Sequence, residues 1–80
     1  MKRDEILAKL NDIFKELFED DGIVVTDATT ANDIEEWDSL THLQLITMVE
    51  QTFNIRFSLG EINGFANVGA MCDCILKHIG

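Results

Sequence analysis

Apolar residues recur at steps of three and four near both ends of the chain. Near the amino terminus the repeating positions are Ile6, Leu10, Ile13, Phe14 and Leu17. Near the carboxyl terminus they are Val68, Met71, Cys72, Ile75 and Ile79. Because this spacing lines one face of an α-helix, it predicts amphipathic helices over residues 3–20 and from about Asn67 onward. Gly22 is expected to end the first of them in a left-handed conformation.

The middle of the chain carries a third pattern of this kind, from Asp38 or Ser39 to about Phe53. Projected at about 100° per residue, one arc is predicted to face the core and holds Leu43, Leu45, Ile46, Val49 and Phe53. The opposite face carries Leu40, Gln44, Thr47, Met48 and Gln51. Leu40 and Met48 are therefore apolar residues on a face that should be wet. A single exposed apolar side chain is ordinary, but two of them beside an exposed serine indicate a docking face.

Residues 22–37 carry no sustained period and are predicted to form a long ordered loop. Its apolar anchors are Ile23, Val24, Val25, Ile34 and Trp37. Residues 23–25 could instead form a strand, although three residues without a partner strand are weak evidence for one. Ser58 and Glu61 have the spacing of a capping box, which predicts a short third helix. The expected fold is an all-α, small four-helix bundle with three longer helices, one short third helix and the long loop between helices 1 and 2.

The length and the charge of the chain exclude several classes of function. Eighty residues make a single domain, residues 1–80, and a chain of this size buries only about 60% of its surface, so a deep catalytic cleft is not expected. The net charge of −9 repels nucleic acid and anionic lipid and attracts protein partners with basic patches. No apolar stretch is long enough to cross a bilayer, so a cytoplasmic protein is expected, and we separately expect a monomer. Cys72 and Cys74 are badly placed on a helix to form a disulfide, which fits a reducing compartment.

Two serines occur in the chain, and their surroundings differ. Ser58 is explained by its capping box. Ser39 follows Asp38, which is an equally good N-cap and would leave the Ser39 hydroxyl in the first turn, free to face solvent. The unpaired amides and the positive dipole end of a helix N-terminus favour an attached anion, so this position suits a phosphate group. The alternative that Ser39 itself caps the helix stays open.

The residues around Ser39 resemble a known family. The run Glu36-Trp37-Asp38-Ser39-Leu40 is followed by Leu43, Leu45, Ile46, Val49, Glu50 and Phe53. It is similar to the attachment segment of acyl carrier proteins, whose hallmark is Asp-Ser-Leu at the start of the second helix. The resemblance covers nearly the whole chain, because the order of helices and the long loop agree as well.

This resemblance implies a carrier that catalyses nothing by itself. Ser39 would bear a 4'-phosphopantetheine arm, transferred from coenzyme A by a magnesium-dependent phosphopantetheinyl transferase, and Asp38 would help to present the site. Acyl or aminoacyl groups would be held on the arm as thioesters and delivered to loading and synthase enzymes. The surface recognised by these partners would include Leu40, Gln44, Thr47, Met48 and Glu50.

The flanks of the motif depart from the pattern of fatty acid carriers. That pattern has Gly-Ala before Asp-Ser-Leu and an acid after it, whereas residues 35–37 are Glu-Glu-Trp and Thr41-His42 follow. Gln44 also stands where a recognition acid is usual. The flanks are closer to carriers of polyketide, nonribosomal peptide or other specialised pathways, and they do not identify the cargo.

Three hypotheses compete with a carrier. A hydrolase built on Ser39, His42 and Asp38 lacks the geometry of a catalytic triad and an oxyanion hole. Cys74 and His78 share a helix face, but two ligands are too few for a metal site, and Asp20-Asp21-Gly22 lacks the alternating acids of a calcium loop. An unmodified acidic helical adaptor that only binds proteins explains the charge and the apolar face, but it assigns no role to a free Ser39 hydroxyl.

Overall fold

The computed structural model describes residues 1–79, which form four α-helices. Helix α1 spans Arg3–Phe18, α2 spans Ser39–Phe53, α3 spans Leu59–Asn63 and α4 spans Val68–Ile79. Residues 1–79 contain no strand, so residues 23–25 belong to the loop. The prediction of an all-α bundle with a short third helix is confirmed. In the same part of the chain, no helix combines the length and the apolar character needed to cross a membrane.

A single core holds the bundle together, with α1 packed against both α2 and α4. The apolar stripes of these three helices meet in it, as their spacing predicted. Its completely buried members include Ile6, Leu10, Phe14, Leu45, Val49, Met71 and Ile75. Cys72 is also buried, whereas Cys74 is half-buried, and both are free thiols.

Helix α1 ends earlier than the sequence predicted. Glu19, not Gly22, adopts the left-handed conformation, with φ 52° and ψ 42°. The amide of Asp20 then donates to the Lys15 carbonyl at 3.1 Å, which satisfies an end carbonyl of the helix. Phe18 is the last helical residue and its ring lies 5.9 Å from that of Phe14. The left-handed turn therefore follows directly after Phe18, the last side chain of α1 that packs on the core.

The long loop is held by both apolar anchors and hydrogen bonds. Val25, Ile34 and Trp37 are buried. The Asn11 side chain accepts from the Val25 amide at 2.8 Å and donates to the Val25 carbonyl at 3.1 Å. Val24 is 72% exposed, so its prediction as an anchor was wrong. Successive side chains of an extended segment point to opposite sides, and Val25 takes the inner one.

Two predictions for the faces of α2 were also wrong. Leu43 was expected in the core but is 58% exposed. Met48 was expected in water but is half-buried and packs against the core. Both residues flank the buried arc of the helix, so the projection alone does not decide which flank is covered. Neighbouring residues cover the Met48 flank and leave the Leu43 flank open towards α3.

The loop passes very close to the start of α4. The Val68 amide donates to the Thr29 carbonyl at 2.8 Å, and the Gly69 amide donates to the Asp27 carbonyl at 2.9 Å. A Cβ atom at position 69 would lie 2.9 Å from that same Asp27 oxygen, closer than ordinary packing allows. Glycine at position 69 therefore permits the loop to approach α4.

Two glycine-to-alanine substitutions should consequently have opposite effects. In Gly69→Ala the clash with the loop backbone should outweigh the better helix propensity of alanine, for a net loss of about 1–2 kcal/mol. In Gly60→Ala, where nothing lies within 4 Å of the added atom, the free energy of unfolding should rise by about 0.4–1 kcal/mol. Urea unfolding followed by circular dichroism measures both. A gain in stability for Gly69→Ala would show that the loop does not approach α4 this closely.

Candidate functional site

Asp38 caps helix α2. Its backbone is extended, and its Oδ1 atom accepts from the Thr41 amide at 2.9 Å. The Thr41 hydroxyl accepts from the Asp38 amide at 2.8 Å and donates to the Glu36 carbonyl at 2.8 Å, which completes a reciprocal capping box. The hydrogen bond from the Thr41 amide is the largest cause that holds the pKa of Asp38 below its usual value. The carboxylate is therefore ionised, and its hydrogen bond to the Thr41 amide caps the helix.

Ser39 is the first residue of α2, and its side chain is left free by this cap. It is exposed, and within residues 1–79 its hydroxyl forms no hydrogen bond. The alternative that Ser39 itself caps the helix is therefore wrong. Its position places the hydroxyl at the positive end of a helix of 15 residues, where a negatively charged substituent is stabilised.

A surface cleft of about 550 Å³ opens beside Ser39. It lies between the end of the long loop, the first turns of α2 and the end of α3. Apolar side chains form much of its wall, and Asp38 and Asn63 contribute polar atoms. The lining consists of Ala31, Trp37, Asp38, Ser39, His42, Leu43, Ile62, Asn63, Phe65 and Ala66.

His42 joins three parts of this wall. The Trp37 indole nitrogen can only donate, so its 3.0 Å hydrogen bond makes His42 Nδ1 an acceptor. The ring proton is therefore on Nε2, which donates to the Ile62 carbonyl at 3.1 Å. Both nitrogens are occupied by structural partners, and the Asp38 carboxylate is bound to Thr41 instead. The hydrolase hypothesis is excluded, because neither His42 nor Asp38 is oriented towards proton transfer from Ser39.

The five residues expected at a recognition surface fall into two groups. Leu40, Gln44 and Thr47 are exposed, and Leu40 is 67% exposed. Met48 packs against the core, as described above. Glu50 is half-buried, and its carboxylate accepts from the Phe57 amide at 2.9 Å, so it holds the connection between α2 and α3.

Leu43 is a site residue whose helical periodicity wrongly indicated a place in the core. It lines the cleft beside Ser39 instead of the core. A signal was present, because residues four apart lie on the same helix face, and Leu43 follows Ser39 by four positions. The α3 and loop residues of the cleft, such as Ile62 and Phe65, had no comparable signal, since they reach the site only through the fold.

Ser39 thus offers an exposed hydroxyl at a helix start beside an open cleft, which suits covalent modification, and within residues 1–79 no oriented base faces it. A family model described as the phosphopantetheine attachment site matches residues 5–75. The chain thus belongs to the phosphopantetheine-binding family of carrier domains.

A solved structure narrows this family to the acyl carrier proteins. The chain is similar to the holo acyl carrier protein from Geobacter metallireducens, determined by solution NMR, with 45% sequence identity and a TM-score of 0.86. The match covers 91% of this chain and 84% of that chain. A comparison with curated proteins found no significant match.

Family membership confirms several of the predictions. The protein is a carrier and not a catalyst, and its cofactor is a covalently attached 4'-phosphopantetheine. The residues present fit that group, because a free hydroxyl stands at a helix N-terminus that favours a phosphodiester. The helical order predicted from the sequence is that of the matched structure, and the resemblance seen around Asp38-Ser39-Leu40 is a true family relationship.

Proposed function

We propose that Ser39 bears the arm and that the protein carries acyl or aminoacyl groups for enzymes of fatty acid, polyketide or related biosynthesis in the cytoplasm. The observation that carries this proposal is the free, exposed Ser39 hydroxyl, made available because Asp38 takes the capping role. The terminal thiol of the bound arm supplies the thioester linkage to the cargo. Asp38 presents the serine by ordering the first turn of α2.

The other serine supports this choice by its environment. Ser58 caps α3: its hydroxyl accepts from the Glu61 amide at 3.2 Å, and its own amide donates to Glu61 Oε1 at 2.7 Å. A bulky substituent on that oxygen would compete with the cap. Ser39 has no such competing role, and it alone lies beside the cleft.

The proposal is tested by incubating the chain with coenzyme A, magnesium and a phosphopantetheinyl transferase of broad specificity. Intact mass should increase by one arm per chain. An adaptor that binds proteins without being modified would keep its original mass.

Partner enzymes are proposed to approach the exposed side of α2 next to Ser39. Leu40, Leu43, Gln44 and Thr47 offer an apolar and neutral surface there. The net charge of −9 would speed the approach of a transferase or synthase with a basic patch. We therefore propose a recognition surface made of these four residues, without Met48 and Glu50, which serve the fold.

Leu40→Glu tests this recognition surface. The substitution should lower kcat/KM for arm transfer by about tenfold, as expected when an anchor worth about 1.4 kcal/mol is lost from an interface. Val24→Glu is the matched control, since Val24 is equally exposed but lies in the loop. Circular dichroism should show that both variants fold. Equal transfer rates in the two variants would show that Leu40 is not part of the interface with the transferase.

A further inference from the structure

Three metal-binding side chains converge where α3 meets the last turns of α4. Cys74 Sγ and His78 Nε2 each lie 3.0 Å from Glu61 Oε2. One donor atom from each residue lies within 4.8 Å of the other two. Cys74 and His78 are four apart on α4, so they share a face. Glu61 comes from α3, 13 and 17 residues earlier in the chain, which is why the sequence showed only two ligands.

We propose that Glu61, Cys74 and His78 form a binding site for a divalent transition-metal ion, with Zn²⁺ as the best match. Thiolate, imidazole and carboxylate are the ligand types that zinc prefers, and three protein ligands leave the fourth tetrahedral position for water. The mixture of a soft sulfur with nitrogen and oxygen donors favours zinc over magnesium or calcium. This site is separate from Ser39 and does not depend on its role.

The geometry is close to that of a bound ion. Tetrahedral zinc with bonds of about 2.0–2.3 Å holds its ligand atoms roughly 3.3–3.8 Å apart. The donor atoms already lie between 3.0 and 4.8 Å from one another. Small side-chain adjustments would therefore be enough. The side chains of Glu61 and His78 are each 28% exposed, so an ion can reach them from solvent.

Glu61 is already prepared to act as a ligand. Its Oε1 atom accepts from the Ser58 amide at 2.7 Å and also lies 3.2 Å from His78 Nε2, whereas Oε2 is the oxygen that faces both Cys74 and His78 at 3.0 Å. Hydrogen bonds, chiefly from the Cys74 thiol and then from the Ser58 amide, lower the pKa of Glu61 to about 2. The carboxylate is therefore an oriented anion, as carboxylate ligands supported by an outer hydrogen bond are.

An ion would replace two hydrogen-bonded protons in this cluster. The Cys74 thiol now donates to Glu61, and on metal binding its proton would be released to solvent. The His78 proton would shift from Nε2 to Nδ1 so that Nε2 can bind. Burial is the main cause that raises the pKa of Cys74 to about 12, so the thiol is protonated without an ion; a metal ion stabilises the thiolate directly. The bound ion would link α3 to α4 beside the cleft-lining Ile62.

Cobalt is the most direct probe, since Co²⁺ occupies zinc sites and gives a near-ultraviolet charge-transfer band when a thiolate binds it. The full chain, shown by intact mass to carry no arm, should bind one equivalent with this band, and Zn²⁺ should displace it. Cys74→Ser should abolish the band, whereas the control Cys72→Ala should retain it. The same cobalt titrations on the arm-bearing chain show how much of the band comes from the thiol of the arm and how much from Cys74.

Zinc affinity and thermal stability give independent readouts. Cys74→Ser and His78→Gln should each lower Zn²⁺ affinity at least about tenfold, as loss of a ligand or of its support does. Zinc should raise the melting temperature of the parent chain, and at the same zinc concentration it should raise that of both variants by less. Absence of the band in the folded parent chain, its persistence in arm-free Cys74→Ser, or equal zinc affinity in His78→Gln would each overturn the proposal.

Discussion

Replacement of Ser39 by alanine is expected to abolish the gain of one phosphopantetheine arm completely. The phosphodiester needs the hydroxyl oxygen, and the second serine is occupied by the cap of α3. Ser58→Ala is therefore the matched control and should still gain one arm per chain. Both variants are incubated with coenzyme A and the transferase, and intact mass reads the result. An arm on Ser39→Ala would exclude Ser39 as the attachment residue.

The two serine variants should also differ in stability. This comparison shows whether a missing arm on Ser39→Ala could be due to unfolding. Ser39 is exposed at the first position of α2, and its hydroxyl forms no hydrogen bond within the described chain, so Ser39→Ala should change the free energy of unfolding by less than about 0.5 kcal/mol. Ser58→Ala removes a helix cap and should cost about 1 kcal/mol. The variant that cannot be modified is thus expected to be the more stable of the two.

Replacement of Trp37 by alanine is expected to have the largest effect on folding. Trp37 is 7% exposed, its ring lies 5.1 Å from that of Phe14 edge to face, and its indole nitrogen binds His42. Removing a buried aromatic side chain costs about 3–5 kcal/mol. A chain of 80 residues has a total stability of about 4–12 kcal/mol. Urea unfolding followed by circular dichroism should therefore show that Trp37→Ala has lost a large share of the free energy of unfolding and unfolds at a much lower urea concentration.

Two comparisons identify the cause of this loss. Trp37→Phe keeps most of the buried ring and removes the hydrogen bond to His42, so it should cost about 1–2 kcal/mol. Leu43→Ala removes an exposed side chain and should cost less than about 0.5 kcal/mol. A larger loss for Leu43→Ala than for Trp37→Ala would place Leu43 in the core and would refute the arrangement of the cleft.

The helices could be predicted because the forces that form them are local. The stripe from Ile6 to Phe14 specifies its helix through residues within a few positions of one another. The Asp38 cap likewise depends on Thr41, three residues away. The proposed role of Ser39 as the attachment residue also came from short-range sequence, since Asp38-Ser39-Leu40 at a helix start both frees a hydroxyl and matches the family.

The flanks of the helices could not be predicted in the same way. Leu43 and Met48 border the same buried arc, and their exposure depends on which neighbouring segment covers each side. The end of α1 was misplaced as well: Glu19, not Gly22, takes the left-handed conformation, and the Asp20 amide then closes the helix on the Lys15 carbonyl.

The amino-acid sequence alone determined the acidic charge, which is a matter of composition, and the helical class with the core stripes of α1 and α4, which follow from neighbours along the chain. Whether Asp38 or Ser39 caps α2 was decided only by the structure. The tertiary structure decided the contents of the cleft, the exposure of Leu43 and the meeting of Glu61 with Cys74 and His78. Those features join segments that are distant in sequence. Their positions follow from how the helices pack, which periodicity along a single helix does not encode.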